Sequence, residues 1–214
     1  MKFSCVGCLM AGIVLMFLQP LVSGLHGLAR KKPAEKRFTS PDGTFTFNYG
    51  RSIVKCARDP KQSNRWIPPE SCEAYTPVCS DLYGSGDNTI VCVSYPAATM
   101  KGTTFEAAAF SVNRINAHTM AECRNIAEPN IRTRHTENVN GVTFAVSEIS
   151  DAGLGNGSSG EVYRSFHGNT CYELDIRVAF AEIGGFDPGT VREFDHETVY
   201  RSLKSVLNTF QFLK

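Results

Sequence analysis

The sequence predicts an α+β domain in which helices pack on an antiparallel β-sheet. Three observations indicate this class. Several segments alternate apolar and polar residues with the period of two that is typical of half-buried strands. Turn dipeptides of the hairpin type separate pairs of these segments. Two other segments begin with helix-capping residues, and the second of them carries an apolar stripe at helical spacing.

Strands are predicted in the first half of the domain. Residues 43–49 (GTFTFNY) alternate aromatic and polar side chains, and a second strand is expected at 53–57. Residues 90–95 are apolar on both sides, which is typical of a strand in the middle of a sheet. Residues 104–115 fit either a helix or a strand, and we interpret them as a strand.

Two hairpins are predicted in the second half, because Asn140-Gly141 and Gly168-Asn169 each separate two apolar segments. The paired segments are residues 132–138 with 142–149 and residues 161–166 with 171–180. Between the hairpins, the sequence GLGNGSSG (153–160) predicts a flexible loop. It lacks the lysine of a phosphate-binding loop and the serine spacing of a hydrolase elbow.

Two helices complete the predicted domain. Thr119 and Glu122 have the spacing of a capping box, which predicts a short helix that ends before Pro129. Asp195 is expected to cap a longer helix that reaches Leu207, followed by a short strand at 209–212. The apolar stripe of the longer helix consists of Val199, Leu203, Val206 and Leu207.

The N-terminal segment predicts export. Residues 1–29 combine Lys2 with an apolar stretch and small residues, as a cleaved signal peptide does. An uncleaved membrane anchor is the alternative, because residues 3–22 are nearly long enough to span a bilayer and a basic tract follows them. Residues 30–37 are interpreted as a basic linker, and residues 38–214 as a single domain with a substantial core. The expected location is secreted or periplasmic, or membrane-tethered with the domain outside the cytoplasm.

Charge argues against nucleic-acid binding. Lys2 and the tract RKKPAEKR hold six of the 22 basic and one of the 21 acidic residues. The remaining chain therefore has 16 basic and 20 acidic side chains, a net charge of −4. Nucleic-acid-binding domains normally present a basic face.

Six cysteines follow the leader, an even number, and three disulfides are the natural interpretation in an exported chain. Fifteen pairings are open. One reasonable choice joins Cys72 to Cys79, Cys56 to Cys92 and Cys123 to Cys171. Zinc sites favour close pairs such as Cys-x2-Cys, whereas Cys72 and Cys79 have six residues between them and no histidine nearby, so we expect no metal site, and no motif indicates a cofactor.

No diagnostic catalytic motif is present. Glu173, Asp175 and Arg177 share one side of a predicted strand, which suggests a carboxylate pair for acid–base chemistry. The hairpin register, however, places Arg164 opposite Glu173, which predicts an ordinary ion pair on a solvated face. The histidines after the leader lie at predicted turns or element ends without metal-ligand spacing, and we interpret them as exposed.

Residues 58–87 are the best candidate for a specific binding surface. They show little periodicity, and a connection of this length without regular structure is usually functional or disordered. Tryptophan, tyrosine and arginine are enriched at binding hot spots, and this segment holds Arg65, Trp66, Tyr75 and Tyr83. The alternative is that Trp66 folds back and covers the core.

The two ends of the domain resemble the PsbP-like fold. The opening FTSPDGTFTFNYG and the closing helix with SVLNTFQF are similar to the aromatic hairpin and the C-terminal helix and strand of that family. The cysteine-bearing middle is not similar, and Gly50 stands where such domains usually have proline after the tyrosine. The resemblance implies an α/β/α sandwich and a binding or accessory role, since the family is mostly non-enzymatic.

We therefore expect an exported binding or accessory module whose partner is an unknown protein or small ligand in the envelope or outside the cell. A secreted hydrolase with dispersed catalytic residues is one alternative. A secreted effector or inhibitor that uses Trp66 as a wedge is another. A pocket with convergent polar groups would favour the enzyme, and a projecting loop with an exposed Trp66 would favour the inhibitor.

Overall fold

The structure is a computed structural model that describes residues 35–59, 62–67, 72, 78–80, 88–126 and 131–214. Residues 59, 62–67 and 131 are described by their backbone alone. The contacts divide the chain into the units Met1–Lys32 and Pro33–Lys214, and every described residue lies in the second. The predicted leader therefore lies outside the described residues, as does the linker up to residue 34.

The described residues form twelve strands and two α-helices. The strands are β1 (Glu35–Thr39), β2 (Phe45–Gly50), β3 (Val54–Lys55), β4 (Ala57–Asp59), β5 (Gln62–Ile67), β6 (Thr89–Ser94), β7 (Phe105–Ile115), β8 (Ile131–Val139), β9 (Val142–Gly153), β10 (Asn156–His167), β11 (Thr170–Ala181) and β12 (Gln211–Phe212). The helices are α1 (Met120–Arg124) and α2 (His196–Leu207). The α+β class predicted from the sequence is confirmed.

A seven-stranded antiparallel sheet organises the domain, with the strand order β3-β6-β7-β11-β10-β9-β8. Both predicted hairpins are present, and β7 settles residues 104–115 as a strand. The turn residues Asn140 and Asn169 adopt φ values of 49° and 61°, as hairpin turns of two residues require. Local turn chemistry thus fixes the β8–β9 and β10–β11 pairings.

The predicted flexible loop GLGNGSSG is instead part of the sheet. β9 extends to Gly153 and β10 begins at Asn156, so only Leu154-Gly155 forms a turn. The glycines allow close packing between strands: a Cβ on Gly160 would lie 1.8 Å from the carbonyl oxygen of Ile176. The glycine-rich composition therefore reflects a tight strand contact and not a flexible connection.

One face of the sheet carries the aromatic core. α2 covers this face together with a second sheet of the order β1-β2-β12. The ring centroids of Phe47 and Phe110 are 5.2 Å apart, and those of Phe45 and Phe210 are 5.3 Å apart. All four residues of the predicted α2 stripe are buried in this core, and Asp195 caps the helix as expected.

The other face carries charged residues, small residues and cysteines. It is covered by α1, whose predicted Thr119–Glu122 capping box is present, and by residues of the cysteine-bearing segment around Cys72 and Val78. α1 and α2 therefore belong to opposite faces of the seven-stranded sheet, which is the layer arrangement of an α/β/α sandwich.

Three disulfides join Cys56 to Cys72, Cys79 to Cys92 and Cys123 to Cys171. Only the third of our expected pairs is confirmed. Cys56 and Cys92 are neighbours across β3 and β6, but each bonds to a cysteine of the segment between them. The expected pairing was wrong because it joined Cys72 to Cys79 within this segment, whereas each of them bonds to a cysteine at the large sheet.

Two boundaries also differ from expectation. β1 begins at Glu35 and pairs with β2, so the last three residues of the predicted linker belong to the sheet. The segment 58–87, expected to lack regular structure, begins with the β4–β5 hairpin, whose sequence shows little strand periodicity. In the described part of the chain, no helix is long and apolar enough to cross a bilayer.

Candidate functional site

A cleft of about 300 Å³ lies between the N-terminal half of α2 and the β8–β10 end of the sheet. We call it the α2 cleft. Alternate residues of β9 and β10 point toward α2, which is why the polar side chains of both strands converge here. Its lining residues are Arg132, Glu148, Ile149, Ser150, Ser159, Gly160, Glu161, His196, Glu197 and Tyr200.

A serine and a histidine meet in the α2 cleft. The Ser159 Oγ and the His196 Nε2 are 2.8 Å apart, within hydrogen-bond distance. The His196 ring lies nearly parallel to the Tyr200 ring, with the centroids 6.4 Å apart, and the Phe194 ring lies 5.8 Å away on the chain before α2. His196 is therefore half-buried and oriented, which corrects the interpretation of this histidine as exposed.

A hydrogen-bonded cluster of charged residues lies beside the α2 cleft, where α2 contacts β8 and β10. The Lys204 Nζ lies 2.9 Å from Glu137 Oε2 and 3.1 Å from Glu161 Oε2, and it also contacts the Tyr163 hydroxyl. Tyr163 donates to Glu161, and its hydroxyl lies 3.1 Å from Glu137 Oε2. Lys204 thus ties α2 to β8 and β10 at the edge of the aromatic core.

The cluster keeps Glu161 ionised. Burial alone would raise the pKa of Glu161, but hydrogen bonds from Tyr163 and Tyr200 and the charge of Lys204 outweigh it and lower that pKa. Burial and the neighbouring Glu161 carboxylate raise the pKa of Tyr200 and of Tyr163. The hydroxyl groups of Tyr163 and Tyr200 therefore remain neutral hydrogen-bond donors. Tyr200 also lines the α2 cleft.

Two charged side chains of the α2 cleft make no ion pair with any other residue that the structure describes. They are the half-buried Glu148 on β9 and the exposed Arg132 on β8. The cleft thus offers a carboxylate, a guanidinium and the hydroxyls of Ser150 and Ser159 to a bound group. This set suits a small polar ligand or a polar side chain of a partner.

The same geometry is poorly built for nucleophilic catalysis. No carboxylate among the described residues hydrogen-bonds to His196, so the third member of a serine triad is missing there. Ser159 lies inside β10, between its partners Ser150 and Val178. The backbone N–H groups of a strand paired on both sides serve the sheet and do not form an oxyanion hole.

The row of charges on β10 and β11 lies on the opposite face of the sheet. Arg164 does pair with Glu173, at 2.8 Å, in the predicted register, and Arg177 pairs with Asp175. The prediction of a solvated face is wrong: Arg164 is 2% exposed, and Glu173 and Asp175 are fully buried. Cys72 and residues 78–80 lie over part of this face, and the Ser80 carbonyl oxygen accepts a hydrogen bond from Ser111 at 3.3 Å.

The structure describes only part of the predicted binding surface. Arg65 and Trp66 lie in β5, where the backbone of Trp66 is opposite Arg58 of β4. Tyr75 and Tyr83 lie outside the described residues. With two of the four residues outside the described part of the chain, their role as a binding surface stays a prediction.

Sequence reasoning missed the α2 cleft, although part of its signal was present. His196, Tyr200 and Lys204 repeat every four residues beside the apolar stripe of α2, and Ser159 and Glu161 alternate on β10. These two patterns predict a polar helix stripe and a polar strand edge. Their meeting depends on how α2 lies across the sheet, which local patterns do not give.

Comparisons with known proteins give a weak structural likeness. A crystal structure from Bacteroides thetaiotaomicron VPI-5482 has 13% identity and a TM-score of 0.46, and the match covers 84% of this chain but 48% of that one. This chain thus spans about half the length of that protein. The solution structure of cyanobacterial PsbP (CyanoP) from Synechocystis sp. PCC 6803 has 9% identity and a TM-score of 0.43, with 86% and 96% covered.

No protein-family model matches the chain, and no curated protein matches it. The solved structures that match include a PsbP, so the PsbP-like resemblance expected from the two ends of the domain is supported as a weak likeness of fold. A likeness of this strength carries no argument about function.

Proposed function

We propose that this domain is a non-catalytic binding or accessory module that takes a polar group of its partner into the α2 cleft. The observation that carries the proposal is the cleft itself, where Glu148 and Arg132 face a ligand-sized space without an ion pair to another described residue. The bound group is a side chain of a protein partner or a small polar molecule. Both would use the same carboxylate, guanidinium and hydroxyl contacts.

We further propose that the domain works in the periplasm or outside the cell. Disulfides form and persist in oxidising compartments, and the described residues contain three. The predicted leader supports the same location. Whether it is cleaved is decided by N-terminal sequencing of the protein purified from its envelope or culture medium.

The role of the α2 cleft in binding is tested by placing a larger apolar side chain in it. The immobilised domain is used to capture partners from an envelope extract, and small polar metabolites are measured in the eluate. Ser159→Leu places an apolar side chain in the cleft and removes the hydrogen bond to His196, so we expect capture to fall at least about tenfold. Ser205→Leu makes the same change on the exposed side of α2 and serves as the control. Equal capture by both variants would contradict the proposal.

The segment 58–87 is proposed as an additional contact surface, through Arg65, Trp66, Tyr75 and Tyr83. The hot-spot composition of this segment supports it. Replacing Trp66 and Tyr75 by alanine in the same capture experiment tests it. Reduced capture with the cleft intact would assign binding energy to this segment, and unchanged capture would remove it from the binding surface.

Hydrolysis is the second candidate, and the 2.8 Å contact between Ser159 and His196 is the observation that favours it. In that reaction Ser159 Oγ would attack an ester carbonyl as His196 Nε2 takes its proton. A fluorophosphonate probe distinguishes the two candidates. We expect no labelling of the wild-type protein, whereas labelling that Ser159→Ala abolishes would replace the binding proposal by a hydrolase.

A further inference from the structure

Three cysteine sulfurs form a cluster on the charged face of the sheet, and a disulfide attaches a fourth to it. The Sγ atoms of Cys56, Cys79 and Cys92 all lie within 4.8 Å of one another, and those of Cys56 and Cys79 are 3.5 Å apart. Cys72 joins the group through its disulfide to Cys56. These residues are far apart in sequence, and the fold brings them together.

The separations are close to those of a tetrahedral metal site. A zinc–sulfur bond of about 2.3 Å places the sulfurs of a four-thiolate site about 3.8 Å apart. Once the sulfur–sulfur bonds are broken, the Sγ atoms of Cys56, Cys79 and Cys92 already lie near such an arrangement, and the Cys72 side chain must move toward them to complete it. No other group of three or more ligating side chains in the described part of the chain comes this close.

The surroundings also fit a closed structural site. All four cysteines are at most 3% exposed. Their buried apolar neighbours are small, namely Val78, Ala107, Ala109 and Ala179, and Ser111 lies opposite Cys92. A site without access for water holds zinc in the four-coordinate form that is typical of structural centres.

We infer that Cys56, Cys72, Cys79 and Cys92 bind one Zn²⁺ ion when both of their disulfides are reduced. Two equivalents of a dithiol reduce the two disulfides to four thiols and are themselves oxidised to two cyclic disulfides. Zn²⁺ then displaces four protons and forms four zinc–sulfur bonds. The same cluster is two disulfides in an oxidising compartment and a metal centre in a reducing one, independently of the α2 cleft.

The spacing rules of zinc sites give no sign of this centre. Cys72 and Cys79 are separated by six residues, and none of the four cysteines belongs to a Cys-x2-Cys pair. The ligands instead converge because β3 and β6 place Cys56 beside Cys92 and the intervening segment returns to both. A site built from the tertiary fold has no short sequence signature.

The test uses the full chain carrying Cys5→Ala, Cys8→Ala, Cys123→Ala and Cys171→Ala, so that the four cysteines of the proposed site hold all of its thiols. The protein is reduced anaerobically with dithiothreitol, freed of reductant and titrated with Co²⁺ and then Zn²⁺. We expect one metal ion per chain, with the charge-transfer and visible absorption bands of tetrahedral cobalt thiolate. Zn²⁺ is expected to displace the cobalt and erase these bands.

Additional substitutions assign the ligands. Replacing Cys79 or Cys92 by alanine is expected to weaken Zn²⁺ binding at least tenfold, whereas Ser202→Ala on α2 leaves it unchanged. Circular dichroism before and after metal addition shows whether the reduced chain is folded or folds on binding, and both results are compatible with a bound ion. A reduced chain that retains no metal after desalting, or metal binding that survives Cys79→Ala, would overturn the inference.

Discussion

Asp175 is a fully buried carboxylate whose charge is only partly compensated. It pairs with Arg177, while its second oxygen accepts no hydrogen bond from any residue that the structure describes. Burial is the largest influence and raises the pKa of Asp175, Glu173 raises it further, and Arg177 and Arg164 lower it, leaving the value at about 7. Near neutral pH this group therefore gains or loses a proton inside the folded domain.

This pKa predicts a pH dependence of stability. The unfolded chain has an aspartate pKa of about 3.9, so the folded protein binds more protons than the unfolded one between about pH 4 and about pH 7. The contribution of Asp175 is fully present below about pH 4, and it is lost as the pH rises through about 7. Asp175→Asn should remove this component, which urea unfolding between about pH 4.5 and about pH 7.5 measures.

Asp187→Asn is the matched control, because it neutralises an exposed carboxylate and should keep the wild-type slope. Each variant is compared by the slope of its urea midpoint against pH and not by its absolute stability, since Asp175→Asn also removes the ion pair with Arg177. Parallel slopes for the wild-type protein and Asp175→Asn would show that Asp175 does not titrate in this range.

At the scale of elements, the β10–β11 hairpin depends on glycine at a close approach of two strands. A Cβ on Gly160 would lie 1.8 Å from the Ile176 carbonyl oxygen and 3.1 Å from the Arg177 Cα, and both are backbone atoms. The adjoining β9–β10 hairpin shares β10, and its Gly153 has open space around the position of a Cβ. Two glycines of one sheet therefore differ sharply in their tolerance of alanine.

Gly160→Ala should destabilise the domain by roughly 1–3 kcal/mol or more, because the backbone of β10 or β11 must move to relieve the overlap. Gly153→Ala is the control and should change the free energy of unfolding by less than about 0.5 kcal/mol. Chemical denaturation of both variants under non-reducing conditions measures the difference. Equal stabilities would mean that the two strands do not approach as closely as described.

The sequence allowed a correct prediction of elements whose signals are local. Asn140-Gly141, the Thr119–Glu122 capping box and the α2 stripe each depend on residues a few positions apart, and all three are present. The burial of Arg164 could not be predicted, because it depends on what packs over β10 in the folded domain, including α1. The disulfide pairing and the α2 cleft could not be predicted for the same reason, because both depend on which elements meet across the fold.

At the scale of the whole domain, the two faces of the large sheet are stabilised differently. Packing of aromatic side chains dominates on the face beneath α2. On the other face, disulfides attach α1 and the cysteine-bearing segment over the buried charges. The disulfides therefore attach the covering residues to the face of the sheet that has little aromatic packing.

The Cys123–Cys171 disulfide is the link between α1 and β11, across a sequence separation of 48 residues. Replacing both cysteines by alanine should lower the free energy of unfolding by roughly 2–4 kcal/mol, because the unfolded chain loses a long covalent loop. Non-reducing chemical denaturation measures this change, and peptide mapping confirms that the other two pairs are intact. An unchanged midpoint would contradict a stabilising role for this link.

The last strand of the domain has a consequence for its synthesis. β12 pairs with β2, so Phe212 lies opposite Phe45 although they are separated by most of the domain sequence. A chain synthesised from its N-terminus cannot complete this small sheet until β12 has been made. Until then the apolar side of the β1–β2 hairpin is uncovered, and its aromatic side chains are open to self-association.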